Sequence, residues 1–437
     1  MTFDQTWLDR EVDGRSRASL AARELEYRTV PADSDAFEGW LHAVARGFQD
    51  GESSPEQLAA ARRRNAARRL TGVYDAGGAL PAVAVGTVAS WPSELTVPGG
   101  AVPAGAISAV TVAQTHRRRG IARALLEGEL RTIAAAGCPV AMLTVTESTL
   151  YGRYGFAAAA DAATLDIDTR RVRWSGPRPE GRVDFVDRTA ARDLVVALHE
   201  RVRRHTPGDI ALPPGHDDRF TGTDSDAKDG GDVRCVRYCD VAGEVRGILT
   251  YRISAHEGDI VHGTAKVSVL LAETDDAYAA LWRFVLELDL VSHVHAELRA
   301  TDEPVLWMIG DWRAASVSVS DHQYLRILDV PAALGARTYG AAGRLFLRVT
   351  DPLALADGDF VLDVDGDGEA TVTRTATRTD ASDAIVLELS IVELSALYLG
   401  GVSVVALARA GRVSASDAAA CARVLGSPVT PRLGIWY

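Results

Sequence analysis

A run of β-branched residues that stops in a tight basic loop and opens at once into an amphipathic helix constrains this 437-residue chain more than any other feature. Ile107, Val110 and Val112 lead into Gln114-Thr115-His116-Arg117-Arg118-Arg119-Gly120. Ile121, Ala122, Leu125, Leu126, Leu130 and Ile133 then recur at helical spacing, and Gly137 fits the helix stop. Residues 139–145 read as a further buried strand. A strand, loop, helix, strand unit of this length predicts two parallel strands joined by a right-handed crossover.

The chemistry of such a loop follows from its position. The first turn of a helix has unpaired N–H groups and a partial positive charge. Gly120 lets a ligand approach the backbone, Ala122 keeps the helix start uncrowded, and Arg117 and Arg118 add formal charge, which together suit a pyrophosphate. No Gly-Lys-Ser/Thr follows, so this is not a Walker loop, and a single glycine is not the dinucleotide fingerprint. The chain carries 45 arginines and two lysines (Lys228 and Lys266). An arginine-rich loop without a ligand therefore competes with the anion seat as a reading of these residues alone.

Charge narrows the partners. With 59 acidic and 47 basic residues the formal charge is −12. Proteins whose main task is binding nucleic acid or an anionic membrane surface usually have the opposite sign, and an acidic chain fits a cationic substrate better. The four cysteines (Cys138, Cys235, Cys239, Cys421) are too scattered for a disulfide framework, and the spacing of Cys235 and Cys239 is not that of a zinc site. Asp363-Val364-Asp365-Gly366-Asp367-Gly368 starts like a calcium loop, but Arg374 stands where the bidentate Glu belongs, so it reads as a hairpin turn. His293 and His295 share a strand face without a third ligand, and no metal is expected. The first residues lack a signal-peptide pattern, and the uncharged stretches 76–93 and 95–115 are broken by Pro and Gly. A cytoplasmic protein without a transmembrane helix is the expectation.

Along the chain, residues 1–25 read as a loosely held polar arm. Ser54-Pro55-Glu56-Gln57 is a helix start with a capping box. The order of elements in the first 160 residues recurs over 166–324 without a second Arg-x-x-Gly turn, and includes a long loop at 206–232. From 325 the pattern changes to short strands (345–350, 360–364, 370–374, 385–389) and two helices (391–397, 415–425), an α+β domain of its own.

Arg117, Gly120 and Ala122 match the Gln/Arg-x-x-Gly-x-Gly/Ala acetyl-CoA motif of the GCN5-related N-acetyltransferase (GNAT) family, which this segment resembles. The run 110–120, followed by Leu150-Tyr151-Gly152-Arg153-Tyr154-Gly155-Phe156, resembles the Eis (enhanced intracellular survival) branch of that family. Tyr324-Leu325-Arg326-Ile327-Leu328-Asp329-Val330-Pro331 and Leu397-Tyr398-Leu399-Gly400-Gly401 extend the likeness over nearly the whole chain after the arm.

The resemblance implies an α/β fold of tandem GNAT domains, 26–165 catalytic and 166–324 degenerate, plus a C-terminal sterol-carrier-protein-2-like α+β domain at 325–437. It implies acetyl-CoA as co-substrate. Val110 and Val112 would then lie beside the pantetheine, Arg117, Arg118, Gly120 and Ala122 at the phosphates, and Thr146 near the cofactor. Tyr151 takes the role of general acid, which its ordinary pKa of about 10 suits. The carboxylate of the last residue, Tyr437, takes that of base; with a pKa of about 3.5 in water, it needs desolvation or a relaying water. Asp50 and Trp436 would line the amine pocket. The acceptor would be a primary amine of an aminoglycoside, a polyamine-like molecule or a lysine side chain, and the assembly a homo-hexamer, a trimer of dimers. Two departures stand out: Trp436 replaces an acidic residue of aminoglycoside-active members, and Ala109 a bulkier aromatic. The rival reading is a non-catalytic lipid or sterol-like carrier or sensor using the C-terminal domain.

Overall fold

The computed structural model describes residues 5–227, 229–256, 259–376 and 384–437, with side chains from residue 7 and outside 255–261. The first four residues of the arm and Lys228 lie outside this set. The chain folds as two compact units, one of Met1–Ala159, Gln323–Pro428 and Tyr437, the other of Ala160–His322 and Val429–Trp436.

In chain order the elements begin with α1 (Gly14–Ala21), β1 (Glu26–Thr29), α2 (Ala36–Phe48), α3 (Pro55–Asn65), β2 (Arg69–Tyr74), β3 (Gly86–Val97) and β4 (Gly100–Val112). Then come α4 (Ile121–Ala135), β5 (Val140–Thr144) and the single turn α5 (Ser148–Tyr151). The middle of the chain gives β6 (Ala157–Asp168), β7 (Arg182–Phe185), α6 (Arg188–Arg203), α7 (His216–Thr221), β8 (Arg234–Cys239), β9 (Val245–His256) and β10 (Asp259–Ala272). It continues with α8 (Asp275–Leu286), β11 (Val291–Arg299) and α9 (Val305–Met308). The last third holds β12 (Ala315–Ile327), α10 (Val330–Leu334), β13 (Gly343–Thr350), β14 (Gly358–Val364), β15 (Ala370–Thr375) and β16 (Ile385–Ser390). It closes with α11 (Ile391–Leu397), α12 (Val404–Arg409), β17 (Ser414–Ala415) and α13 (Ala418–Leu425).

In the first unit β1, β2, β3 and β4 form an antiparallel run, β5 joins β4 in parallel, and Gln323–Ile327 of β12 pairs antiparallel with β5. The second unit repeats the scheme. Strands β7, β8, β9 and β10 are antiparallel neighbours, β11 is parallel to β10, and β6 closes on β11. The parallel pairs are those the strand–helix–strand pattern demands. A separate five-stranded sheet, β15-β14-β13-β16-β17, carries the C-terminal domain, with β13 and β16 parallel.

Local chemistry explains these elements. Ser54 and Gln57 form the reciprocal capping box at α3. On α4, Leu125, Leu126, Leu130 and Ile133 are fully buried against the sheet. The Asp365 turn between β14 and β15 is closed by its carboxylate, which accepts from the Asp367 and Glu369 N–H groups. All four cysteines are buried and unpaired. Among the described residues no helix is long and apolar enough to cross a membrane.

Three segments differ from their sequence reading. The N-terminal arm is not loose: α1 is capped by Asp13, whose carboxylate also binds Arg131 at 2.7 Å, and Ser16 Oγ donates to the Ala124 carbonyl at 2.6 Å. Trp7 and Leu20 are buried there, too sparsely spaced to show an apolar face in a polar sequence. The loop at 206–232 contains α7. In the C-terminal domain α10 and α12 are extra helices, and α13 starts at Ala418 because Asp417 caps it.

Candidate active site

The edge of β4 is bent before it reaches the basic loop. Thr87 pairs with Thr111 and Ala89 with Ser108, so Ala109 and Val110 together face Val88 alone. This is a β-bulge, and Ala109 adopts φ +52° to make it. The Thr87 hydroxyl lies 2.7 Å from the Ala109 carbonyl, to which it donates, and 2.6 Å from Thr111 Oγ1. β4 pairs with β5 only from Ala104–Val140 to Ala106–Met142. Beyond that point the two strands part, leaving Val110 and Val112 on the open side of the fork. Both are half-buried against the cluster that holds Leu143, Val145, Tyr151 and Phe156.

The loop after β4 ends in Arg117 (ψ 155°), Arg118 (φ +64°) and Gly120 (φ +76°). Only glycine adopts the last of these without strain. No side chain caps α4, so its first N–H groups face outward. Arg117 and Arg118 are exposed, whereas His116 and Arg119 lean on Asp75 at 3.0 and 3.7 Å. Arg23, from the end of α1, donates to the Arg119 carbonyl and sits where a Gly120 side chain would stand. Ala122 follows within the first turn. These features fit a pyrophosphate on α4 with a pantetheine arm running into the fork.

Past β5, Thr146 is an exposed bend residue and Tyr151 ends α5. Tyr151 is 8% exposed and packs edge to face on Phe156, centroids 6.1 Å apart. Burial, with lesser contributions from Glu147 and Tyr154, pushes its phenol up to about 12, so it keeps its proton at neutral pH but is a weaker acid toward a thiolate than the ordinary pKa of about 10 implied.

The chain terminus arrives at the same strand end. The Thr144 hydroxyl donates to the Tyr437 carboxylate at 3.0 Å, and the Tyr437 ring packs edge to face on Trp91 with centroids 5.6 Å apart. The phenol of Tyr437 is buried facing Gln323, whose backbone is the register partner of Thr144, and burial raises it. Sequence reasoning missed Thr144 and the bulge at Ala109, a residue it singled out only as a departure from the family. Neither carries a signal, since one acts on a chain end 293 positions away and the other is an ordinary alanine in an unusual backbone.

Asp50 is exposed just past α2, whose Gly47 packs so closely on Thr111 that a Cβ would lie 2.5 Å from its side chain. That contact fixes the end of α2 against β4 next to the bulge. Trp436 belongs to the second unit, 44% exposed, with its ring 4.5 Å from that of His322.

A bulged strand, its splayed parallel neighbour and a glycine-headed helix define a GNAT acetyltransferase fold, and the family comparisons agree. The description "Acetyltransferase (GNAT) domain" matches residues 27–159 and again 216–327, and "Sterol carrier protein domain" matches 330–434. The chain is 38% identical over 419 residues to an uncharacterized N-acetyltransferase of Streptomyces avermitilis, covering 90% of this chain and 95% of that one. It is 34% identical over 332 residues to N-acetyltransferase Eis of Mycobacterium tuberculosis, covering 74% and 77%. The crystal structure of Eis1 from Mycobacterium abscessus superimposes with a TM-score of 0.79 at 28% identity, covering 94% of this chain and all of that one. The chain belongs to the Eis family of GNAT N-acetyltransferases. It is therefore an acetyltransferase built from two GNAT domains and a sterol carrier protein domain, and as a GNAT enzyme it uses acetyl-CoA.

Proposed function

We propose that this enzyme moves the acetyl group of acetyl-CoA directly to a primary amine of a cationic acceptor in a ternary complex. The acceptor class is an aminoglycoside or polyamine-like molecule, or a lysine side chain. One observation carries the reading: the terminal carboxylate of Tyr437 is held by Thr144 at the end of β5, where β4 and β5 have parted. The amine nitrogen attacks the thioester carbonyl while the Tyr437 carboxylate, directly or through a water, takes its proton. The carbon–sulfur bond then breaks and the Tyr151 phenol protonates the departing thiolate. Val110 and Val112 flank the pantetheine, Arg117, Arg118, Gly120 and Ala122 receive the phosphates, and Thr146 lies along the same loop. Asp50 and Trp436 serve the acceptor, and the −12 charge of the chain favours a cation there.

The carrier reading finds less support. A concavity of about 640 Å³ in the C-terminal domain has Arg344, Asp363, Asp365, Glu369 and Arg374 in its wall beside Val361 and Ala370, more charge than a sterol site needs. We propose a homo-hexamer as the assembly. Trp307 and Trp312, 76% and 51% exposed and stacked edge to face at 4.8 Å, offer apolar surface that subunit contacts would cover.

Thiol release from acetyl-CoA across a panel of aminoglycosides, polyamines and lysine peptides tests the function, with Tyr151→Phe as control. Amine-dependent release that the control loses is expected. No release with any amine, alongside tight lipid binding, would overturn it.

A further inference from the structure

The fork that suits a pantetheine in the first unit has a counterpart in the second. Strand β10 repeats β4: its register against β9 slips between Val267 and Val269, and it pairs with β11 only as far as Val267–Ala296. Beyond that, β10 continues to Ala272 and β11 to Arg299. The helix that follows, α8, has no glycine head. Thr274 caps it and accepts from the Ala277 N–H, so a side chain takes up an amide of the kind that α4 leaves uncapped. The bulge and the fork survive, and the anion seat is gone.

The chain's own C-terminus fills this fork. Val269, Leu271, Arg299, Asp209 and Ile435 are among the residues around a residual void of about 20 Å³, room for a single water. The tail Val429–Trp436 has no helix or strand, yet its backbone is held along its length. Arg432 N donates to the Pro207 carbonyl at 2.8 Å, and Gly434 N to Asp209 Oδ1 at 3.1 Å. The Ile435 carbonyl accepts from His322 Nε2 at 2.8 Å, and the Trp436 carbonyl from His216 Nε2 at 2.7 Å. Leu433 and Ile435 are fully buried. Chain ends ordinarily fray; this one is clamped up to its penultimate residue.

A carbonyl cannot donate, so both histidines carry a proton on Nε2, and the Nδ1 of His216 also lies 3.1 Å from a carbonyl, that of Pro213. Burial holds His322 below the usual histidine range, which keeps it a neutral donor. Asp209 both accepts from Gly434 and lies 3.8 Å from the Arg432 guanidinium. The next residue after the clamp is Tyr437.

We propose that the degenerate cofactor fork of the second GNAT domain is a dock for the C-terminal tail, with Asp209, His216 and His322 the positioning residues that fix the Tyr437 carboxylate. The proposal rests on the reading of that carboxylate as base. Misplacing a reacting group by about 1 Å costs about a hundredfold in rate, so loosening the tail acts on turnover and leaves cofactor binding alone.

The test uses the full chain with His322→Phe, His322→Gln, Asp209→Ala and a deletion of Tyr437. Its readouts are kcat, the KM for acetyl-CoA, and the rate at which carboxypeptidase releases the terminal residues, followed by mass spectrometry. His322→Phe and Asp209→Ala are expected to lower kcat about 10- to 100-fold at unchanged KM, and to expose the tail to carboxypeptidase. His322→Gln, which keeps a donor near the Nε2 position, restores most of both. If Asp209→Ala unfolds, Asp209→Asn replaces it with the same expected direction. Unchanged kcat or an undigested tail in folded His322→Phe overturns the proposal. If deleting Tyr437 leaves kcat intact, the base reading itself falls and the positioning role with it, whereas carboxypeptidase rates still decide whether the tail docks.

Discussion

The Thr144 hydroxyl donates a 3.0 Å hydrogen bond to the terminal carboxylate of Tyr437, 293 residues further along the chain. A carboxylate so held is oriented. Thr144→Val keeps the shape and removes the donor. Steady-state kinetics should show kcat reduced about ten- to hundredfold, the worth of one hydrogen bond to a charged group, with the acetyl-CoA KM unchanged. Thr144→Ser should retain wild-type turnover.

Tyr151 is buried, and its phenol is pushed up to about 12. A donor raised in this direction stays protonated through the whole alkaline range of an ordinary assay. The kcat profile should therefore show no alkaline limb up to pH 10. Tyr151→Phe should lower kcat about 10²- to 10⁴-fold, the range of general acid catalysis, with little change in melting temperature. An alkaline limb centred below pH 10 in the wild type would count against Tyr151 as the acid.

Gly120 combines φ +76° with an Arg23 guanidinium that occupies the place of a Cβ. In Gly120→Ala the methyl group meets that guanidinium, and the left-handed backbone costs about 1–2 kcal/mol. Calorimetric titration should show acetyl-CoA binding weakened about tenfold or more, while the protein remains folded.

Arg326 and Asp351 meet at 2.6 Å with both side chains fully buried, and Arg326 Nε also donates to the Tyr154 carbonyl at 2.8 Å, which ties the C-terminal domain to the first GNAT domain within one compact unit. Burial alone would push the Asp351 carboxyl up. The Arg326 guanidinium and the N–H groups of Leu353 and Ala356 outweigh it and hold the carboxyl below the usual range. Asp351→Ala should cost about 3–5 kcal/mol by leaving a buried charge unpaired. A depressed folded pKa stabilises above the unfolded value of about 3.9 and ceases to do so as pH falls through the folded one. The gap in melting temperature between wild type and variant should thus be constant from pH 8 to 5 and narrow below about pH 4.

What could be read from the sequence was whatever is local. The change from strand to helical periodicity across Gly120 located β4 and α4, and the missing Arg-x-x-Gly marked the second copy as degenerate. The Ser54 capping box and the Asp365 turn were equally plain, because each is closed by residues three or four apart. The bulge at Ala109 was invisible, since it is set by the Thr87 hydroxyl on a neighbouring strand rather than by a glycine of its own. The packed arm escaped notice because Trp7, Val12 and Leu20, which join the core there, are too far apart in sequence to form an apolar run. The tail clamp depends on Asp209, His216 and His322, more than a hundred residues from the carbonyls and N–H they hold, with no spacing to announce them.

The most direct measurement appends a single glycine after Tyr437 and compares kcat and acetyl-CoA affinity with the wild type. The carboxylate then moves one residue out of the reach of Thr144. Turnover should fall by at least about a hundredfold with unchanged acetyl-CoA binding. Full turnover by the extended chain would contradict the account.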